Sequence, residues 1–363
     1  MSKALDQDLP LKLRLRRLFF SQGYWSPIEV ELSHYENLGF GGGMKRRSLT
    51  DLDVLGIKFD NLFTQHRVVA DCKSGKNVSD ASRLFWLRGV MDYFGADQAY
   101  FVRSAMDSHF RAVAPKMGLR TLNDTDLGRL ERVSGADAFP IPLADVKFYQ
   151  SVRDLWGIQL DSGQSISREQ VRLKQVYSYL SYTYWYVESF RNLLTLIGHF
   201  EAIAELLNPQ NERHQLLAFT GVSRFAHCLL ETAQYVLSMG ATDIPYLARV
   251  YLYGGALALK DKEKFFGLLQ KATGFQESLD PPWLSNVTEL LGRMVAHPSG
   301  ASDVLRHLDA IYLWCLRLGR PSLPELTPGS NNTAALVLAK DVANAFVKAS
   351  GIPESLFSRM AQL

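Results

Sequence analysis

Two acidic residues and one lysine are the groups in this sequence that could do chemistry together. Asp53 begins one apolar segment, and Asp71 is followed by Cys72 and Lys73 at the end of the next. If these segments are adjacent strands joined by a turn at Asp60–His66, both carboxylates lie at one edge of the sheet. Paired carboxylates supply the oxygen ligands that Mg²⁺ or Mn²⁺ prefers. A divalent cation held there can activate water and neutralise charge on a leaving oxygen. The pattern therefore indicates a divalent-metal site that could activate water and orient a phosphate.

Lys73 has the spacing that this chemistry needs. A lysine two residues after an acid on a strand points to the same face of the sheet as that acid. Its ammonium could hold the attacking water and stabilise a negatively charged transition state. The triplet Asp145-Val146-Lys147 repeats the spacing. That second triplet lacks a preceding apolar strand and an upstream partner acid, so the first is preferred.

The elements that must position these residues form a mixed pattern. Leucines and a phenylalanine recur on one face of the first segment, which predicts an amphipathic helix. Short apolar or alternating segments predict strands, and Gly39 to Arg47 is predicted to be a flexible basic loop. Ser79 is predicted to cap the second helix. The predicted order is helix, three strands, helix, strand, helix, strand, over Asp8–Gln22, Ile28–Leu32, Asp53–Phe59, Arg67–Asp71, Asp80–Phe94, Gln98–Val102, Ser108–Met117 and Arg120–Leu122.

The stretch from Leu11 to about Val133 resembles the PD-(D/E)XK nuclease superfamily, in particular its Mrr-like and Holliday-junction-resolvase-like branch. The matching segments are LRRLFFSQGY (15–24), TDLDVLGIKFD (50–60), HRVVADCKSGK (66–76) and AVAPKMGLRTLNDTDLGRL (112–130). The resemblance implies a restriction-endonuclease-like α/β (α+β) domain with a central mixed sheet. It also implies a DNA-cleaving enzyme that uses Mg²⁺ or Mn²⁺, and it favours an endonuclease over an exonuclease.

Carried over residue by residue, the resemblance assigns Asp53 and Asp71 as metal ligands and Lys73 as the catalytic lysine. The backbone carbonyl of Cys72 stands where a main-chain oxygen often completes the metal shell. Many relatives carry a further glutamate ligand on the first helix, but no glutamate lies between Leu9 and Gln22. Glu29 or Glu31 could substitute, or the site could bind one metal.

Several basic and polar residues are candidates for contact with nucleic acid. The net charge is only +3, but the whole excess lies in residues 1–150. This distribution weakly favours a polyanionic partner. For the individual residues, a solvated surface position is the competing interpretation. The candidates are Arg46, Arg47, Ser74, Lys76 and Arg83.

The remainder of the chain is predicted to be helical. The proposed organisation is a nuclease-like domain over 1–135, a linker or transition over 136–166, and an all-α domain over 167–363. Ser167 to Gln170 is a capping box that opens the helical part. Its tyrosines between 177 and 186 are predicted to pack in a core, with base stacking as the alternative. This part could mediate self-association or bind a protein partner.

Other classes of protein are disfavoured by composition. The three cysteines, Cys72, Cys228 and Cys315, match no paired zinc spacing, and no HExxH motif occurs. No apolar run is long enough to span a bilayer, and the first residues do not form a signal peptide, so we expect a cytoplasmic protein without membrane contact.

Three hypotheses remain at this stage. The first is a DNA nuclease, with bacterial restriction or phage defence as the setting that the resemblance suggests and DNA repair as the next. The second is a nuclease fold retained as a binding platform, with the helical part holding protein partners. The third is a nuclease that stays silent until a ligand or partner engages the helical part.

Overall fold

The computed structural model of the protein describes residues 3–37, 44–75, 79–139, 145–158, 166–274, 276–317, 332–358 and 360. Its contacts divide the chain into two units. Unit 1 comprises Met1–Lys58, His66–Asp154 and Leu323–Ser330. Unit 2 comprises Phe59–Gln65, Leu155–Ser322 and Asn331–Leu363.

Unit 1 is built on a five-stranded sheet in the order β1-β2-β3-β4-β5. Strand β1 pairs antiparallel with β2, whereas β3 with β4 and β4 with β5 are parallel. The sheet is therefore mixed, as predicted for the N-terminal part of the chain. The strands are β1 (Ile28–Asn37), β2 (Met44–Phe59), β3 (Gln65–Lys73), β4 (Gln98–Arg103) and β5 (Leu119–Leu122).

Helices of unit 1 follow the predicted order and add two more. They are α1 (Lys3–Ser21), α2 (Asp80–Phe94), α3 (Ser108–Val113), α4 (Asp124–Val133) and α5 (Val146–Leu155). A short 3₁₀ turn, Ala114–Met117, completes the third predicted helix. Ser79 caps α2 by accepting a hydrogen bond from the backbone of Ser82, as predicted.

The first helix packs on the sheet through the predicted apolar face. Leu11, Leu15, Leu18 and Phe19 are buried in one cluster with side chains from β2, β3, β4, β5 and α4. On β3, that cluster takes Val68, Ala70 and Cys72, which alternate with Val69, Asp71 and Lys73. The alternation leaves Asp71 and Lys73 on the sheet face opposite this cluster.

Two local predictions need correction. Residues 44–47 belong to strand β2, because Lys45, Arg46 and Arg47 pair with β1, so only part of the predicted flexible loop can be one. Residues 38–43 of that loop lie outside the described residues. The helix α4 was not predicted, although Asn123 and Asp126 form a capping box at its start. The stretch 136–166 contains α5, and its assignment as a linker or transition stays a prediction.

Gly56 marks a tight contact between β2 and its surroundings. A β-carbon added there would lie 2.5 Å from Val68 Cγ2 and 3.2 Å from Phe19 Cδ2. We expect Gly56→Ala to lower the free energy of unfolding by about 1–3 kcal/mol, because overpacking forces backbone shifts. Gly89→Ala on α2 is the matched control. Apart from its chain neighbours and its own helix backbone, no atom lies within 4 Å of a β-carbon added there. The higher helix propensity of alanine should therefore raise the free energy of unfolding by about 1 kcal/mol. Chemical denaturation of both variants measures the difference, and equal stability would contradict the packing described.

Unit 2 is helical wherever its longer elements are described. Its helices are α6 (Arg168–Ser181), α7 (Ser189–Glu201), α8 (Glu212–Ser238), α9 (Ile244–Leu252), α10 (Ala256–Thr273), α11 (Leu284–Ala296), α12 (Pro298–Ala301), α13 (Val304–Arg317) and α14 (Thr333–Ser350). Helix α8 is buried along most of its length, with α7, α9 and α13 packed against it. The predicted capping box is confirmed, since Ser167 and Gln170 make both of its hydrogen bonds.

The tyrosines at the start of unit 2 belong to its core. Tyr177, Tyr179 and Tyr184 are buried. The Tyr179 hydroxyl contacts Asn192 Oδ1 at 2.8 Å, and the Tyr184 hydroxyl contacts His227 Nδ1 at 2.6 Å. Packing is therefore confirmed for these three rings over base stacking. The hydroxyls of Tyr179 and Tyr184 find their partners within the core.

Candidate active site

Lys73 lies between the two predicted acids. Its Nζ is 3.0 Å from Asp53 Oδ2 and 3.2 Å from Asp71 Oδ1. Asp53 belongs to β2 and Asp71 to the neighbouring β3, so adjacent strands bring the acids to one place. Both carboxylates are buried, at 3% and 1% exposure, whereas Lys73 retains 21%. The three residues predicted from the sequence therefore form one cluster, in which Lys73 is partly exposed to solvent and both acids are buried.

The backbone of β3 holds Asp53 in position. The Cys72 N–H donates to Asp53 Oδ2 at 2.7 Å, and the Cys72 side chain is buried in the apolar cluster under α1. Because adjacent side chains of a strand alternate between faces, burial of Cys72 turns Asp71 and Lys73 the other way. The contact with Asp53 is thus made by the Cys72 N–H. The metal-binding role assigned to its carbonyl stays a prediction.

Lys12 is a member of the cluster that sequence reasoning missed. It lies on α1 with 1% exposure, and its Nζ is 2.8 Å from Asp53 Oδ1 and 3.4 Å from Glu29 Oε1. A buried ammonium requires such partners, because desolvation without them is very costly. The pattern carried one signal, a lysine between Leu11 and Leu13 within the apolar face of the helix.

Asp8 is the second missed residue. Its Oδ1 accepts hydrogen bonds from the Ser74 N–H at 2.7 Å and from Ser74 Oγ at 2.6 Å. Its Oδ2 is 3.7 Å from Lys73 Nζ. An acid on the first helix thus reaches the cluster, one residue before the segment in which a glutamate was sought. Ser74, a predicted phosphate contact, is engaged with this acid.

Arg83 closes the outer side of Asp71. Its Nε donates to Asp71 Oδ2 at 2.7 Å, and its Nη2 donates to Asp71 Oδ1. The guanidinium carbon also lies 3.9 Å from the centre of the Trp86 ring. Arg83 comes from the first turn of α2 and is 25% exposed. This two-pronged pair is the strongest geometry available between an arginine and a carboxylate.

The two acids respond differently to burial. For Asp53, burial would raise the pKa, but Lys73, Lys12 and the Cys72 N–H outweigh it and lower the pKa below its ordinary value. For Asp71, burial dominates over Arg83 and Lys73, so its pKa is raised. Asp53 is therefore ionised at neutral pH, and Asp71 is the acid of the pair that more readily holds a proton.

Lys73 is a permanent cation in this setting. Burial alone would lower its pKa, but attraction to Asp53 and Asp71 exceeds that effect and raises the pKa above its ordinary value. With its pKa raised by Asp53 and Asp71, Lys73 carries a proton near neutral pH in this arrangement. It can hold water or a phosphate oxygen and neutralise negative charge.

The remaining predicted residues lie outside this cluster or beyond the described residues. Glu31 lies on β1 opposite Asp51 and accepts from Ser33 Oγ at 3.2 Å. Arg46 Nη1 lies 3.6 Å from Glu31 Oε1, and Arg47 Nη2 lies 2.9 Å from Glu36 Oε2. Lys76 lies outside the described residues. Of the two candidate extra ligands, Glu29 is linked to Asp53 through Lys12, whereas Glu31 pairs along the β1–β2 hairpin.

The structure distinguishes the two acid-x-lysine triplets. Asp145 accepts a hydrogen bond from the Phe148 N–H at 2.9 Å at the start of α5. Lys147 is exposed on that helix. The second triplet is therefore a helix start with a solvated lysine, and Lys147 is a suitable control for Lys73.

No protein-family model, no curated protein and no solved structure matches this chain. In the described part of the chain, no helix is both long and apolar enough to cross a membrane. Any assignment of function therefore rests on the cluster around Lys73 and on the sequence pattern.

The donor chemistry of the cluster fits a hard divalent cation with one condition. Asp53 and Asp71 supply carboxylate oxygens, which are the ligand type that Mg²⁺ prefers. Oxygens of both residues lie within reach of the single ammonium of Lys73. Within the described ranges, no group of three or more acidic, histidine or cysteine side chains is arranged to hold a metal. Both oxygens of Asp71 accept from Arg83. A cation bound through Asp71 would therefore have to take the place of that guanidinium.

Proposed function

We propose that unit 1 is a divalent-metal-dependent phosphodiesterase that cleaves DNA, with Asp53, Asp71 and Lys73 at its centre. One observation carries the proposal. Two buried carboxylates from neighbouring strands meet at one lysine ammonium, at 3.0 and 3.2 Å, and that lysine is partly open to solvent. A buried acidic pair beside a cation is costly to maintain for stability alone, and such clusters are enriched at functional sites.

Each residue has a distinct part in the proposed reaction. Asp53 is held ionised by Lys12, Lys73 and the Cys72 N–H, so it offers a fixed anionic ligand. Asp71 is the second ligand. Lys73 remains protonated and hydrogen-bonds the attacking water or a non-bridging phosphate oxygen, where it offsets charge that develops in the transition state. A divalent cation held by Asp53 and Asp71 would supply activation of water and neutralisation of the leaving oxygen.

Phosphodiester hydrolysis fits the charge of the site better than hydrolysis of a neutral substrate. The three cations Lys12, Lys73 and Arg83 face the carboxylates of Asp8, Asp53, Asp71 and Glu29, which leaves a formal charge of −1. A bound divalent cation would reverse the sign of that charge, and the partly exposed Lys73 and Arg83 are the cations that an approaching phosphate can reach. DNA is proposed because residues 11–133 resemble DNA-cutting nucleases, and endonucleolytic cutting is the favoured mode.

The helical unit 2 is proposed to select the target or to bind a protein partner, including a second copy of the chain. Its size and its attachment to unit 1 support this role. Bacterial restriction or phage defence is the proposed setting, in a cytoplasmic protein. These parts of the proposal rest on the resemblance described above.

One observation favours a competing function. Both oxygens of Asp53 and both of Asp71 contact basic groups or a backbone N–H. A cluster neutralised in this way could serve as a rigid core for a nucleic-acid-binding platform without cleavage. The platform and the nuclease differ in one respect, which is whether bound DNA is cut when a divalent cation is supplied.

Metal dependence tests the proposed function directly. Purified full-length protein is incubated with supercoiled plasmid, linear duplex and RNA of matched length, in Mg²⁺, Mn²⁺ or EDTA. We expect nicked and linear plasmid in Mg²⁺ or Mn²⁺ and none in EDTA, with RNA left intact. DNA that is bound by the protein but uncut in every metal would contradict the nuclease and support the platform.

A further inference from the structure

Arg83 and a metal ion would compete for the same two oxygens. Arg83 donates to both carboxylate oxygens of Asp71, and Asp71 is 1% exposed. The other cation on Asp71 is Lys73, whose Nζ lies 3.2 Å from Oδ1. A guanidinium so near also repels a divalent cation. Within this cluster, Arg83 is therefore the group whose position decides whether Asp71 is open to metal.

Arg83 is also the cation best able to leave. It is 25% exposed, whereas Lys12 is 1% exposed and held between Asp53 and Glu29. Its other contact is the Trp86 ring, over which a guanidinium can slide without losing the stacking attraction. An arginine fork binds a phosphate with the same two-pronged geometry that it uses for a carboxylate.

We propose that Arg83 exchanges Asp71 for a backbone phosphate of the nucleic acid, and that this exchange opens Asp71 to the metal. The inference deepens the proposed function and rests on it. It makes nucleic acid and metal cooperative ligands of one site, because each favours the state in which Arg83 has left the carboxylate. Coupling of this kind is reciprocal, so metal must strengthen nucleic-acid binding to the same extent.

Metal affinity, not cleavage, tests the exchange. Mn²⁺ binding to the full-length protein is measured by calorimetry, with and without a duplex whose phosphorothioate linkages resist cutting. Arg83→Gln removes the competing cation, and we expect it to raise Mn²⁺ affinity about tenfold in the absence of the duplex, since hydrogen bonds to charged groups contribute at that scale. The duplex should raise the affinity of the wild type by more than it raises that of Arg83→Gln.

Two further variants make the result specific. Arg88→Gln is the matched control. Arg88 lies on α2, as Arg83 does, and it donates to both carboxylate oxygens of Asp92 and not to Asp71. This variant should bind Mn²⁺ as the wild type does. Asp71→Asn should abolish the heat of Mn²⁺ binding in the calorimetric titration. That loss would assign the binding heat to this site. Circular dichroism verifies that each variant is folded.

The outcomes separate the exchange from the nuclease. Equal Mn²⁺ affinity in wild type and Arg83→Gln, with binding lost in Asp71→Asn, would overturn the exchange and leave the metal site standing. An equal effect of the duplex on both proteins would also overturn it. If neither the wild type nor Arg83→Gln binds Mn²⁺, with or without the duplex, the exchange and the metal-dependent function are both overturned.

Discussion

Replacement of Lys73 by alanine is expected to lower the rate of DNA cleavage by about 10²- to 10³-fold, the loss typical of removing one preorganised charge-stabilising donor. The reason is its position, with Nζ 3.0 Å from Asp53 and 3.2 Å from Asp71 and the side chain partly open to solvent. The measurement is the first-order rate of plasmid nicking at saturating Mg²⁺. Binding of the same DNA should change little, because Lys73 is one of many cations that a polyanion can contact.

Lys147→Ala is the control for this prediction. Lys147 belongs to a triplet of the same spacing in unit 1, but it is exposed on α5. Its removal deletes the same charge and leaves the cluster intact, so nicking should proceed at the wild-type rate. An equal loss of the nicking rate in both variants would mean that Lys73 acts only through the overall charge of the protein. A wild-type nicking rate in both variants would mean that Lys73 is not part of the catalytic centre.

Replacement of Lys12 by methionine is expected to destabilise unit 1 by about 3 kcal/mol, because removing one partner of a buried ion pair leaves the other charge uncompensated. Lys12 is 1% exposed, and its Nζ lies 2.8 Å from Asp53 Oδ1. Methionine keeps most of the volume, so the loss reflects charge and not a cavity. Thermal and chemical unfolding at pH 7 measure the change, with Lys147→Met as the surface control.

A second substitution separates the ion pair from packing. If the charge on Asp53 is what Lys12 compensates, Lys12→Met combined with Asp53→Asn should cost less than the two single changes added together. Strict additivity would show that the two groups do not interact. The folded-state pKa of Asp53 lies below its ordinary value of 3.8. The contribution of this carboxylate is therefore complete above pH 3.8 and declines as the pH falls further.

Local sequence patterns predicted the parts of unit 1 that depend on neighbouring residues. The apolar face of α1, the bounds of α2 and the alternation through Asp71, Cys72 and Lys73 all follow from periods of 3.6 and 2. The meeting of Asp53 with Asp71 followed from one topological assumption, that consecutive strands are neighbours in the sheet. The sheet order supports that assumption.

Contacts between distant segments could not be predicted in this way. Lys12 and Asp53 are separated by 41 positions, and helix geometry alone does not say which acid a buried lysine will meet. Asp8 was not predicted because the family resemblance implies a glutamate on the first helix, whereas an aspartate near the start of α1 makes the contact with Lys73. The glycines before residues 44–47 predict a loop there, but pairing with β1 extends the strand over them. In each case a tertiary contact outweighed the local pattern.

The most direct test of the central claim is single-turnover cleavage of a DNA duplex by excess wild-type protein or Asp71→Asn, at saturating Mg²⁺. Asparagine keeps the shape of the side chain and removes the negative charge that strengthens binding of a hard divalent cation. Both proteins should bind the duplex, and the account predicts that the wild type cuts it while Asp71→Asn leaves it intact. Cutting by Asp71→Asn at the wild-type rate, or wild-type protein that binds the duplex and never cuts it, would contradict a catalytic centre at Asp53, Asp71 and Lys73.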